Sequence, residues 1–146
     1  MFSLAYTSNF QQPIGEEQLR ELVERASEKN QRLSVTGYLC VLGTQILQYL
    51  EGDEATVRDL MAVIAADERH TVVSELDLGH HDERRFPNWG MRSVTSSELS
   101  NIQLEHLVVE TLAGMAQKPM LQDLGRSQII RIANTIAKHR SRLAAG

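Results

Sequence analysis

The chain has 146 residues, 42% of them hydrophobic and 23% charged, and its 15 Lys plus Arg against 19 Asp plus Glu leave a formal net charge of -4. A chain of this length buries roughly 70% of its unfolded surface in one core, the composition excludes disorder and repeat arrays, and the acidic balance argues against gripping phosphate backbones, so no nucleic-acid partner is expected. The single cysteine, Cys40, closes no disulfide within the chain, and with neither a basic n-region before an apolar run nor an uncharged stretch near the roughly 20 residues that span a bilayer, a cytoplasmic protein without a membrane partner is expected.

Residues 2–8 read as a first strand, with Phe2, Leu4 and Tyr6 on one face. After Pro13 and Gly15, Leu19, Leu22, Val23 and Ala26 follow the i, i+3, i+4, i+7 spacing of an amphipathic helix whose other face is filled with Glu and Arg. Residues 35–42 and 45–50 form a hairpin about Gly43-Thr44, with Gly37 inside its first strand. Asp53 stands as N-cap to a second helix carrying Val57, Leu60, Met61 and Ile64, closed by Ala65-Ala66-Asp67. Residues 71–78 are β-rich. After a charged turn through His81 to Arg85, a last short strand runs from about Trp89 to Val94 and puts Trp89 and Met91 on one face.

The order βαββαββ predicts an α+β fold, the split βαβ of ferredoxin-like sheets, with two helices on one face and the first and third strands side by side. Tyr6 and Gln48 then become neighbours beneath the helices. Beyond Ser96, Leu104, Leu107, Val108 and Met115 mark one helix, Lys118-Pro119 breaks it, and Ile129, Ile132, Ala133 and Ile136 mark another. The expected organisation is a domain over residues 1–95 followed by a C-terminal cap of two helices over residues 96–146, covering the open face of the sheet.

No G-x-S-x-G, H-E-x-x-H, Walker or G-x-G-x-x-G motif occurs, so the common hydrolase and nucleotide-binding classes lose support. His80 and His81 are adjacent on an extended segment and point to opposite faces, so no metal site is expected there. Cys40 lies in an apolar strand without a neighbouring base and reads as a small buried hydrophobe. What stands out is Tyr6, Asn30 and Gln48, polar where a sheet and helix sandwich should be apolar. A buried glutamine amide without a partner costs about 1–3 kcal/mol. Pairing among these side chains and a polar ligand in a pocket under the helices answer that requirement equally well.

Six segments, in order over residues 1–94, carry a resemblance: Ser3-Leu4-Ala5-Tyr6-Thr7-Ser8, Lys29-Asn30, Val35-Thr36-Gly37-Tyr38-Leu39, Leu47-Gln48-Tyr49-Leu50-Glu51-Gly52, Asp67-Glu68-Arg69-His70 and Arg85-Phe86-Pro87-Asn88-Trp89-Gly90-Met91. With them the chain resembles the BLUF domains, blue-light sensors that use flavin, in their short single-domain form. The resemblance implies FAD between the two helices, with Tyr6 the redox-active tyrosine, Gln48 the amide linking its phenol to the flavin, and Asn30 holding the far polar edge of the ring. It further implies that Ile46 lines the ring face and that Arg69 and His70, at the end of the second helix, lie near the ribityl and phosphate end. Trp89 and Met91 match the pair that exchanges near the glutamine in the signalling state.

The mechanism so implied is photochemical. On blue-light excitation an electron and a proton leave Tyr6 through Gln48, the amide rearranges, the absorption shifts to the red, and the last strand passes the state to the C-terminal helices. Two positions depart from the family pattern. Lys29 stands where an asparagine is common, and it either reaches a flavin carbonyl or faces solvent; Ser34 replaces a glycine, which raises the question of a positive φ. No cyclase or phosphodiesterase sequence follows residue 94, so the implied protein is not an enzyme but a sensor acting on a downstream protein partner and self-associating as a homo-oligomer. The alternatives are a ferredoxin-like ligand-binding or interaction module without photochemistry and a dark flavin oxidoreductase, for which the chain offers no nicotinamide-binding feature.

Overall fold

A strand buried on both faces needs cover on both, and residues 2–8 are buried without exception. In the computed structural model, which describes residues 1–117 and 122–145, that strand is β1 (Phe2–Phe10), followed by α1 (Glu16–Leu33), β2 (Thr36–Leu42), β3 (Gln45–Gly52), α2 (Glu54–Ala65), β4 (His70–His80) and β5 (Arg92–Val94). The sheet order is β4-β1-β3-β2-β5. Every pairing is antiparallel except β2 with β5, which is parallel. The first and third strands are adjacent, as the ferredoxin-like order requires. The expected break at Lys118-Pro119 lies outside the described residues.

The two faces carry two separate cores. Phe2, Leu4, Tyr6, Leu39, Ile46 and Leu50 point toward α1 and α2 and pack with Val57, Leu60 and Met61. Ala5, Tyr38, Leu47 and Tyr49 point the other way, onto Val108, Leu112, Ile129, Ile132 and Ile136. These last residues belong to α4 (Glu105–Gln117) and α5 (Gln122–Lys138), which follow α3 (Ser96–Asn101) and precede α6 (Arg140–Ala145). Burying an Ile or Leu side chain contributes about 1.5–3 kcal/mol, so this second layer is a major part of the stability. Among the described residues the C-terminal region therefore has four helices instead of the expected two. The additional pair are short; α3 is held by a capping box in which Thr95 and Glu98 exchange side-chain and backbone hydrogen bonds. No helix among the described residues is long and apolar enough to cross a membrane.

Local chemistry explains the other boundaries. Asp53 caps α2 by accepting from the Thr56 backbone N–H. Helix α1 runs on past its apolar stripe to Leu33 and stops at Ser34, whose φ of 56° and ψ of 38° are left-handed. The serine pays about 1 kcal/mol for a conformation that glycine adopts freely. Gly37 permits the β2–β3 pairing: a Cβ there would stand 1.8 Å from the Tyr49 carbonyl oxygen.

Two sequence expectations fail here. The last strand begins at Arg92, not near Trp89. Residues 86–89 form a turn in which the Trp89 N–H donates to the Phe86 carbonyl at 3.2 Å, and the Trp89 carbonyl accepts from Gly37 N–H at 2.9 Å. Without extended backbone the alternation rule does not apply, so Trp89 and Met91 do not share a face. Trp89 stacks on Phe86, ring centroids 5.3 Å apart, in the core under the C-terminal helices, whereas Met91 joins the core under α1 and α2. Nor do Arg69 and His70 end the second helix: α2 stops at Ala65, Arg69 lies in the following turn, and His70 opens β4.

Candidate functional site

The register of β1 against β3 sets Tyr6 directly opposite Gln48. Their side chains rise on the α1/α2 face, where the Tyr6 hydroxyl donates to Gln48 Oε1 and the Gln48 amide donates from Nε2 to Met91 Sδ at 3.3 Å. All three residues are buried. Burial, and secondarily the negative charge of Asp67, push the Tyr6 phenol above its ordinary value, so it stands neutral with its proton directed at the amide oxygen. A thioether is a weak acceptor, so the nitrogen end of Gln48 is held less firmly than the oxygen end.

Asn30 is the only fully buried residue of α1. Its Nδ2 donates to the Gly90 carbonyl at 2.9 Å. The segment can come that close because residue 90 lacks a Cβ, which would sit 2.9 Å from Ser27 Oγ. Residues 89–91 are thus tied to β2, α1 and β3 in succession.

Between the helices lies a cavity of about 650 Å³. Tyr6, Leu39, Ile46 and Gln48 line it from the sheet, Leu22 and Ala26 from α1, and Leu60 and Ile64 from α2, with Asn30 and Met91 completing the wall. The apolar stripe of α1 is only half-buried, because part of it borders this space. Cations reach the opening from three places, Arg25, Lys29 and Arg69. Lys29 and Arg69 are exposed. Arg69 grips Asp67 through both carboxylate oxygens at 2.5–3.0 Å and draws that carboxyl down to about 2. His70 borders the cavity with its ring held at both ends, Nδ1 at 2.8 Å from Ser8 Oγ and Nε2 at 2.8 Å from the Ile64 carbonyl. Since a carbonyl only accepts, Nε2 carries the proton.

The structure therefore brings Tyr6, Asn30, Ile46, Gln48, Lys29, Arg69, His70 and Met91 to one cavity and puts Trp89 on the far side of the sheet. His80 and His81 diverge, the first to Glu54 at 3.1 Å and the second to the Glu83 carbonyl at 2.7 Å. Sequence reasoning missed the helix walls Leu22, Ala26, Leu60 and Ile64. The signal was their helical stripe, which reads identically for a packed core and a lined cavity.

The family described as "BLUF: Sensors of blue-light using FAD" matches residues 1–92. The photoactivated adenylate cyclase subunit beta of Euglena longa is 30% identical over 112 residues, 76% of this chain and 13% of that protein. The blue light- and temperature-regulated antirepressor BluF of Escherichia coli (strain K12) is 33% identical over 89 residues, 61% of this chain and 22% of that protein. The chain thus spans less than a quarter of the length of either relative. Among solved structures, the dark state of BlrB, a BLUF protein, superposes with a TM-score of 0.71 at 26% identity, covering 94% of this chain and 95% of that one.

Proposed function

We propose, from the premise that the chain belongs to the BLUF family of blue-light sensors, that Tyr6, Gln48 and Met91 are its light switch and that the cavity above them holds FAD. The observation that carries this reading is the unbroken buried chain from the Tyr6 hydroxyl through the Gln48 amide to Met91 Sδ at the floor of that cavity. The residues present fit a flavin: apolar walls suit the faces of a flat ring, the amides of Asn30 and Gln48 suit its polar edges, and Arg25, Lys29 and Arg69 at the opening suit the phosphates of FAD. Asn30, Gln48 and Ile46 would meet the ring, with Lys29, Arg69 and His70 toward the mouth.

When bound, the flavin supplies absorption of blue light and an excited electron acceptor. The protein supplies the proton chemistry. Tyr6 is neutral, so losing an electron makes its phenol strongly acidic, and Gln48 Oε1 is already in place to take the proton. A glutamine amide has a donor end and an acceptor end, and turning it exchanges the group presented to the cavity. The weak Met91 contact holds the nitrogen end only lightly against that turn. The protein makes no lasting covalent bond in this cycle, acts as a sensor without catalysing a reaction, and passes its state through residues 85–94 to the C-terminal helices and a downstream protein. Residues 1–95 form the flavin domain and residues 96–146 the helical cap, in a cytoplasmic homo-oligomer.

The test is the visible spectrum of protein purified in darkness, recorded before and after blue light. A flavin band that shifts to the red and relaxes in the dark is expected; colourless protein that does not take up added FAD, or bound flavin that never shifts, overturns the proposal.

A further inference from the structure

Glu51 is fully buried and takes no part in the cavity. It lies on β3 three residues after Gln48 and on the opposite face of the sheet, where its carboxylate accepts from four donors. Two are hydroxyls, Thr36 at 2.8 Å and Tyr49 at 2.9 Å. Two are backbone N–H groups, Arg85 at 3.0 Å and Phe86 at 2.8 Å. The arginines around it approach at second hand, Arg84 donating to Thr36 and to the Glu51 carbonyl and Arg85 to the Tyr49 hydroxyl, and the His81 ring stands with Nε2 3.9 Å from the carboxylate. A buried carboxylate is costly unless its acceptors are filled, and here what fills half of them is the start of the segment that ends at Met91.

From Phe86 the chain turns to Trp89 on the C-terminal side, and by Met91 it has reached the α1/α2 side. So β3 is clasped from both faces by one short segment, through Glu51 on one face and Gln48 on the other. Resting on the photoswitch reading above, we propose that Glu51 is the positioning residue of the switch: its carboxylate anchors Arg85 and Phe86, and through that anchor fixes where Met91 meets Gln48 and where Trp89 stacks. The anchor works because both backbone N–H bonds end on one immobile group. Loosening it lets residues 85–91 shift more freely and lowers the barrier between the dark and lit arrangements.

The experiment uses the full chain with FAD. Glu51→Gln keeps the volume but replaces one acceptor oxygen with an NH2 group that faces donors. We expect E51Q to bind FAD and unfold cooperatively, yet to recover in the dark at least about tenfold faster than wild type. Trp89 is the only tryptophan, and its dark-state emission should move to longer wavelength as the Phe86 stack loosens. Glu51→Asp, which keeps the carboxylate, should recover at a rate between the two. Asp53→Ala, which removes the α2 cap without touching the segment, should stay within about twofold of wild type. Recovery of E51Q within that range with unmoved Trp89 emission overturns the proposal, as does an equal acceleration by D53A. If E51Q fails to fold, Thr36→Val removes a single donor, and unchanged recovery and emission in that variant overturn it equally. A wild-type protein that shows no light-induced shift refutes the photoswitch reading, and the Trp89 emission of E51Q in darkness then decides the anchor separately.

Discussion

Tyr6 keeps its proton because the fold gives a phenolate nothing to favour it, neither solvent nor an adjacent cation. The hydroxyl therefore has one task, donating to Gln48. Tyr6→Phe should leave flavin bound and abolish the light-induced red shift, while stability in urea falls by about 1–3 kcal/mol because Gln48 Oε1 loses its partner. Gln48→Leu should also abolish the shift, and a normal difference spectrum from either variant would remove that residue from the switch. The Tyr6–Gln48 neighbourhood was legible in the sequence, since period-two alternation and the order of elements together place both residues on one face of adjacent strands. Glu51 was not. Two of its four donors are backbone amides 34 and 35 residues away, and every residue type carries those, so the anchor to Arg85 and Phe86 leaves no mark in the sequence.

At the level of elements, capping and close approach decide what can be changed. Asp53→Ala should reduce stability by about 1 kcal/mol, read as a lower urea midpoint with an unchanged slope. Gly37→Ala drives a methyl group into the Tyr49 carbonyl, and neither strand can yield without breaking the β2–β3 ladder. A loss of more than about 3 kcal/mol, or failure to fold, is expected; a variant of wild-type stability would show that the two strands lie farther apart. The apolar spacing revealed the cores of α1, α2, α4 and α5, whereas α3 has a single buried residue, Leu99, too few to establish a period. The shared face expected of Trp89 and Met91 failed for a related reason. Alternation presumes extended backbone, and the Phe86–Trp89 turn removes it.

For the molecule as a whole, the two cores share one sheet, and what crosses between them is concentrated in residues 85–92. Arg85 Nε bonds Asn134 Oδ1 at 2.8 Å, Arg140 donates to the Arg85 carbonyl, and Arg92 donates to the Leu143 carbonyl at 2.6 Å. Those contacts join the segment holding Met91 to α5 and to the last helix. Alkali should act on both cores at once. Burial pushes the Cys40 thiol up to about 12 on one face and raises the Tyr6 phenol on the other. A raised folded-state value means that the unfolded chain gives up its proton first. The stability is therefore complete below the ordinary thiol value near 9 and is lost as pH rises toward 12. Thermal midpoints measured across pH 7 to 11 should be level at first and then fall above about 9; a midpoint that climbs in alkali would contradict the burial of these groups.

The attachment of β5 sets the order in which the sheet comes apart. Three residue pairs hold it, in parallel register, at the margin of an otherwise antiparallel sheet. Such a ladder opens from its end without disturbing the four strands beside it. In deuterated water the amides of β5 should therefore exchange well before those of β1 and β3, and illumination should widen that interval. On the photoswitch reading proposed above, this marginal hold of β5 gives a rearrangement of Gln48 a route to the far side of the protein that unfolds nothing on the way.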